Sequence, residues 1–215
     1  MTPLLSIQNL KVQKAGLSIL SDISLKIDRG EFVIFQGPSG SGKTTLLRSL
    51  LLFEVFSEGK LFWGNTLVDH QNFREYRDEL AFAAQKPPAF EGTVEEFIRL
   101  PGTFGRNRRL TIRREQIEEA FEKLNLSFKI LSQSYGSLSG GEQQRIALAQ
   151  LFVLDRPVWL LDEITSNLDD QNAGRVIETL AQYRHKTLIA VTHDSRWNRL
   201  NPRIVPLQNG RIVSA

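Results

Sequence analysis

Two short stretches of this chain carry residues that could do chemistry. The first is GPSGSGKTT, Gly37 to Thr45, where three glycines and four hydroxyl side chains surround a single lysine. It fits the pattern G-x-x-x-x-G-K-[ST] at every position. Glycines let a backbone curl tightly enough for successive N–H groups to face phosphate oxygens, and a helix starting there adds the positive end of its dipole. In such a loop Lys43 reaches the β- and γ-phosphates, and the Thr44 hydroxyl can ligate Mg²⁺. Gly37, Pro38, Ser39, Gly40, Ser41, Gly42, Lys43, Thr44 and Thr45 are all expected to line a nucleoside-triphosphate site.

The second stretch is WLLDEITSNLDDQN, Trp159 to Asn172, in which an apolar run delivers Asp162 and Glu163 into a polar segment. Alone, two acids after a core strand fit a solvated loop as well as a catalytic site. The loop at Gly37 to Thr45 changes that. A triphosphate site needs a second magnesium partner and a group that orients the attacking water, and both normally sit at a strand end beside the loop. Asp162 is expected to hold Mg²⁺ through water, and Glu163 to polarise the hydrolytic water.

These residues need elements to position them. LLSIQNLKV, ILSDISLKI and EFVIFQ read as strands, and TTLLRSLLLFE has helical length and composition. GKLFWGN reads as a hairpin strand and ELAFAAQ as a short buried one. From about Pro87 to Leu154 the apolar residues take a helical period, as in TVEEFIRL and TIRREQIEEAFEKLNL. Strand and helix then alternate again: VWLLD, QNAGRVIETLAQYR, TLIAVTHD and RIVPLQNGRIV. Apolar strands separated by helices imply parallel pairing and an α/β sheet. The expected organisation is one domain, 1–215, with a nucleotide-binding core at 1–86 and 155–215 and a helical insertion at 87–154.

Composition narrows the classes. The chain has 215 residues, 41% hydrophobic and 24% charged, which is ordinary globular composition. A formal net charge of +3 is too small to argue for nucleic acid. The one basic cluster, RNRRLTIRR (Arg106 to Arg114), lacks interleaved aromatic residues and is read as a solvated face. The absence of cysteine excludes disulfides, thiol catalysis and cysteine metal sites, and fits a reducing compartment. The N-terminus lacks signal-peptide regions, and no apolar run approaches the ~20 residues needed to cross a bilayer. LLRSLLLFEVF, interrupted by Arg48 and Glu54, is better read as a buried helix. The expected location is cytoplasmic, with any membrane work done through another chain.

SLSGGEQQRIALAQ, Ser137 to Gln150, supplies a second anion-binding device: two glycines, then a helix, with Ser139 at its entrance. One chain does not need two such devices for one triphosphate, but a head-to-tail pair of chains could use both. The combination closely resembles the ATP-binding cassette (ABC) family, with LSGGEQQR matching its signature. The resemblance implies a P-loop NTPase core with an antiparallel β subdomain and an inserted helical subdomain. It implies that Gln85 is the glutamine-loop residue contacting magnesium and water, that His193 touches the γ-phosphate, and that Asp169 in SNLD lies on a loop crossing a dimer interface. Two copies would sandwich two ATP molecules, each between Lys43 of one chain and Ser139, Gly140, Gly141 and Glu142 of the other. The implied partners are that second copy and a separate multi-span permease, at the inner face of the cell membrane, with no nucleic acid.

Three positions depart from the family's pattern. KVQKAGLSIL has no aromatic residue to stack on adenine, its nearest candidates being Lys14 and Ala15. Gln150 stands where many members carry arginine. Ile164 replaces the usual proline after the glutamate and is expected to leave the following backbone less pre-set. The DEITS spelling, with QKPPAFEGTVEEFIRLP and RNR, looks most like bacterial ATP-binding subunits of the iron-export type. Two other classes compete. ABC proteins acting on DNA or ribosomes usually carry a coiled-coil insertion or tandem cassettes, and neither is evident. A regulatory protein binding ATP without turnover would lack Glu163 or His193, and both are present.

Overall fold

The computed structural model describes residues 2–105, 107 and 110–213. The chain opens with β1 (Leu5–Lys14) and β2 (Leu17–Ile27), a hairpin turning through Ala15 and Gly16, both at positive φ. β3 (Phe32–Gln36) leads through the glycine-rich loop into α1 (Lys43–Leu50). β4 (Glu58–Trp63) and β5 (Thr66–Leu67) make a second hairpin, followed by α2 (Phe73–Asp78) and β6 (Leu80–Ala83). α3 (Val94–Arg99), α4 (Arg114–Lys123) and α5 (Gly140–Leu154) come next. The chain closes with β7 (Val158–Asp162), α6 (Asp170–Leu180), β8 (Thr187–Val191), β9 (Arg203–Gln208) and β10 (Arg211–Ile212).

Two sheets result. One is antiparallel, ordered β2-β1-β4-β5; the other is ordered β10-β9-β3-β8-β7-β6 and is parallel except for β10. The parallel strands are buried on both faces, which explains their continuous apolar spelling. Alternate residues serve different cores. Val33, Phe35, Val158, Leu160, Ile189 and Val191 face α1 and the antiparallel sheet, whereas Ile34, Trp159, Leu161, Leu188 and Ala190 face α5 and α6. α5 packs on α3, α4 and β6, and Gln150 Nε2 donates to the Phe97 carbonyl of α3.

α1 is shorter than TTLLRSLLLFE suggests. It ends at Leu50 because Leu52 takes a left-handed conformation (φ 58°) and Phe53 N–H turns back to the Arg48 carbonyl at 3.0 Å. The buried Tyr76 hydroxyl of α2 donates to the freed Leu50 carbonyl at 2.6 Å. The expected helix over LLRSLLLFEVF is therefore helical only in its first half. Glu54 lies beyond it, paired with Lys14 and Arg48. α2 itself, six residues with one buried side chain, gave no periodic signal. Of the basic cluster, Arg106, Arg108 and Arg109 lie outside the described residues, and Arg114 pairs with Glu118 at 3.0 Å.

Candidate nucleotide site

Five parallel strands end at one edge of the sheet, and the ends of four of them carry the residues singled out above. Such carboxyl ends are where open α/β sheets bind ligands. After β3, the loop has no space for side chains at its two turning points. A Cβ at Gly37 would lie 1.9 Å from the Leu207 carbonyl oxygen of β9, and one at Gly42 would meet Leu20 Cδ2 at 2.8 Å with φ at 100°. Gly42 is the N-cap of α1, so no side chain caps this helix, and its first turn holds no acid. Lys43 is buried, and its Nζ donates to the Gly37 and Pro38 carbonyls at 2.8 and 2.9 Å, which puts the ammonium inside the curve of the loop. Ser41 Oγ is buried with no hydrogen-bond partner among the described residues. Pro38, Ser39, Gly40 and Thr44 are exposed, while Thr45 is half-buried.

β7 delivers the two acids. Asp162 has the same parity as Val158 and Leu160, so it faces α1, and it accepts a hydrogen bond from Thr44 Oγ1 at 3.2 Å. Burial pushes the Asp162 carboxyl above its ordinary range, and the Thr44 hydrogen bond only partly opposes this. A buried carboxylate beside a hydroxyl is a hard-oxygen donor set of the kind Mg²⁺ prefers, and a cation there would favour the charged form. Among the described residues no three acidic or histidine side chains cluster into a self-sufficient metal cage.

Glu163 follows at φ 46°, a left-handed conformation uncommon outside glycine and often found at functional sites. Its N–H donates to the Val191 carbonyl of β8 at 2.8 Å, and Ile164 is 1% exposed in the core facing α5 and α6. With no proline ring at 164, the contacts that hold this backbone are the cross-strand hydrogen bond of Glu163 and the packing of Ile164. Glu163 Oε2 accepts from Gln85 Nε2 at 2.8 Å, and Oε1 lies 3.6 Å from His193 Nε2. Sheet register explains the first contact. Ala83 of β6 sits opposite Leu161 of β7, so Gln85 comes level with Glu163. His193, half-exposed, follows β8.

The loop after Glu163 is braced by residues that the sequence did not single out. Thr165 Oγ1 donates to Asp194 at 3.2 Å and accepts from the buried Trp197 indole at 3.3 Å. Arg196 bonds both Asp194 oxygens and reaches Asp170. Arg196 holds the Asp194 carboxyl below its usual range. Position alone could have pointed to Asp194, which directly follows His193.

At the entrance of α5, Ser139 Oγ accepts from the Glu142 N–H at 3.3 Å, while the Ser139 N–H and hydroxyl donate to Glu142 Oε2 at 3.0 and 2.6 Å. This is a complete capping box. Those hydrogen bonds, with Arg145 nearby, hold the Glu142 carboxyl below its usual range. Gly140 is exposed, and a Cβ on Gly141 would lie 3.6 Å from the Asn167 carbonyl oxygen. Asp169 caps α6, accepting from the Asn172 N–H at 2.8 Å. Lys14 is engaged with Glu54, and at the adjoining hairpin turn it is Leu17 that stands exposed.

The family described as "ABC transporter" matches residues 20–166. A lipoprotein-releasing system ATP-binding protein LolD from Aquifex aeolicus is 32% identical over 99% of this chain and 97% of its own length. The phosphate import ATP-binding protein PstB 2 of Natronomonas pharaonis is 38% identical over 93% of this chain and 75% of its own. The chain spans only 28% of the length of the transport/processing ATP-binding protein MesD of Leuconostoc mesenteroides, which is 34% identical over 92% of this chain. Among solved structures, the ATP-binding cassette MJ0796, a dimer in a post-hydrolysis state bound to ADP and Pi, superposes with a TM-score of 0.87. It is 27% identical, and the match covers 98% of this chain and 97% of that one.

Proposed function

The chain belongs to the ABC transporter family, and from that premise we propose that it is the ATP-binding and ATP-hydrolysing subunit that drives a membrane transporter. The observation that carries the reading is convergence. The ends of β3, β6, β7 and β8 bring Lys43, Thr44, Gln85, Asp162, Glu163 and His193 to one place, with Glu163 hydrogen-bonded to Gln85 and close to His193.

The roles follow from chemistry. The uncapped N–H groups at Gly42 and beyond, with Lys43, bind the phosphates. Thr44, Asp162 (through water) and Gln85 are the side chains that would hold Mg²⁺ here. That ion would neutralise charge developing on the transferred phosphoryl group. Glu163 accepts the proton of the attacking water, and Gln85 and His193 orient it between them and the γ-phosphate. Ser139 to Glu142 serve the nucleotide of a second copy of this chain, with Asp169 on the loop that crosses between copies. MJ0796, which shares this fold, is a dimer.

No helix among the described residues is long and apolar enough to cross a membrane. We assign the membrane path to a separate multi-span permease, with this subunit on its cytoplasmic face. We also take 87–154 as the helical insertion between the two halves of the core. A narrower reading is a subunit of iron-export type, and it rests on the DEITS spelling at Asp162 to Ser166 and on QKPPAFEGTVEEFIRLP.

The test is Glu163→Gln. It keeps the shape and the reach to Gln85 but loses the basic oxygen. Turnover should fall by roughly 10²- to 10⁴-fold while ATP affinity stays within about twofold. Hydrolysis near the wild-type rate would remove Glu163 from this role.

A further inference from the structure

Gln144 lies one helical turn inside α5 and is fully buried. Its Nε2 donates to the Ala84 carbonyl at 3.1 Å, on the residue before Gln85. From the other side, Asn167 Nδ2 donates to the carbonyl of Gln85 itself at 3.2 Å. The peptides on either side of Gln85 are thus each held by a carboxamide, one from the helix that begins at Ser139 and one from the loop that begins at Glu163. The Gln144 Oε1 atom is buried with no partner among the described residues. An unpaired buried acceptor costs stability, so folding alone would favour an apolar side chain of the same size at this point. The carboxamide is explained by what its donor holds.

We propose that Gln144, assisted by Asn167, is a positioning residue for Gln85: it fixes the Ala84–Gln85 backbone so that the Gln85 amide reaches Glu163. It thereby ties the orientation of α5 to the group that activates water. The proposal rests on the hydrolytic reading of Glu163 given above. A shift of α5 would pull on the Ala84 carbonyl, and the 2.8 Å contact between Gln85 and Glu163 would loosen with it. Small misplacements of this kind are costly to rate and nearly invisible to binding.

Gln144→Met separates this role from a packing role, because it preserves length and removes both the donor and the orphan acceptor. The expected result is a melting temperature unchanged or raised, a KM for ATP within about twofold of wild type, and a kcat lowered by roughly 10-fold. Amide exchange across 84–86 should accelerate while the interior of α5 stays protected. Combined with Gln85→Ala, it should lower kcat no further than Gln85→Ala alone, because both act through one contact. The exposed Asn167→Ala should give a smaller loss of the same kind without touching the core. A folded Gln144→Met chain with wild-type kcat and wild-type exchange at 84–86 would overturn the proposal, as would losses that add fully to those of Gln85→Ala. The exchange measurement reports the grip on Gln85 even if Glu163→Gln were to show that another group activates water.

Discussion

α1 and α5 both begin at a glycine-rich turn, yet their first turns are built in opposite ways. At α1 the N-cap is Gly42 at φ 100°, no side chain caps it, no acid occupies its first turn, and Lys43 adds a cation. At α5 the N-cap is Ser139, whose hydroxyl and N–H are tied to Glu142 in a closed box, with that acid in the first turn. The first helix end has no side chain on its N–H donors and carries positive charge. The second has tied up the Ser139 and Glu142 N–H groups and placed a carboxylate at its dipole, which stabilises the helix and weakens any anion site there. On the proposed reading, the first end is the phosphate site of a single chain. The second would contribute to a nucleotide only when another copy brings a triphosphate that shares or displaces the box.

Lys43→Ala breaks this comparison hardest. It removes the cation at the open end, a charge-assisted contact of about 3 kcal/mol, so ATP affinity of the isolated chain should fall roughly 100-fold in a binding titration. An unchanged affinity would mean that the open end is not the phosphate site. Gly42→Ala comes next. The new methyl group must meet Leu20 Cδ2 at 2.8 Å in a conformation L-residues avoid, so unfolding stability should drop by about 2 kcal/mol in urea, with affinity weakened alongside. A stability equal to wild type would show that the turn tolerates a side chain.

Ser139→Ala should act in the contrary sense. It should lower stability by about 1 kcal/mol and the melting temperature by about 2–4 °C, yet leave the isolated chain's ATP affinity as it was. A loss of affinity in the monomer would erase the distinction between the two helix ends. The smallest effect is one of pH. Glu142 has its pKa lowered from 4.5 by the Ser139 hydrogen bonds, so its contribution is full above pH 4.5 and is lost as pH falls through the lower folded-state value. Thermal melts of wild type and Glu142→Gln should therefore differ most near neutral pH and converge in acid. A gap that widens on acidification would reverse the sign assigned to that carboxyl.

The same contrast explains what could be read from the sequence. The loop at Gly37 to Thr45 was legible because its glycines, lysine and threonine fall at set spacing within nine residues, even though the atoms that crowd Gly37 and Gly42 belong to Leu207 of β9 and Leu20 of β2. The parallel sheet was legible because strands buried on both faces spell continuous apolar runs. Asp162 and Glu163 could be assigned only by reference to that loop. Gln144 and Thr165 were not legible, and Asp194 offered only its place after His193. Their roles depend on carbonyls and side chains brought alongside by tertiary packing, and a glutamine or an aspartate reads the same in any solvated helix or loop. The early end of α1 at Leu50 was hidden for a similar reason, since the left-handed Leu52 is sustained by Phe53 turning back and by Tyr76 from another element. The burial of Ile164 in the core was likewise not legible, because it follows from how the loop after β7 packs against α5 and α6.

The central claim is that the open end of one chain and the boxed end of another make one nucleotide site. Sedimentation velocity on Glu163→Gln with ATP and Mg²⁺ tests it most directly, because that variant should bind nucleotide without consuming it. The chain should be a monomer without nucleotide or with ADP and a dimer with ATP, the dimer being lost when Ser139→Arg is added in the same chain. A species that stays monomeric at saturating ATP, or a dimer indifferent to Ser139→Arg, would contradict it.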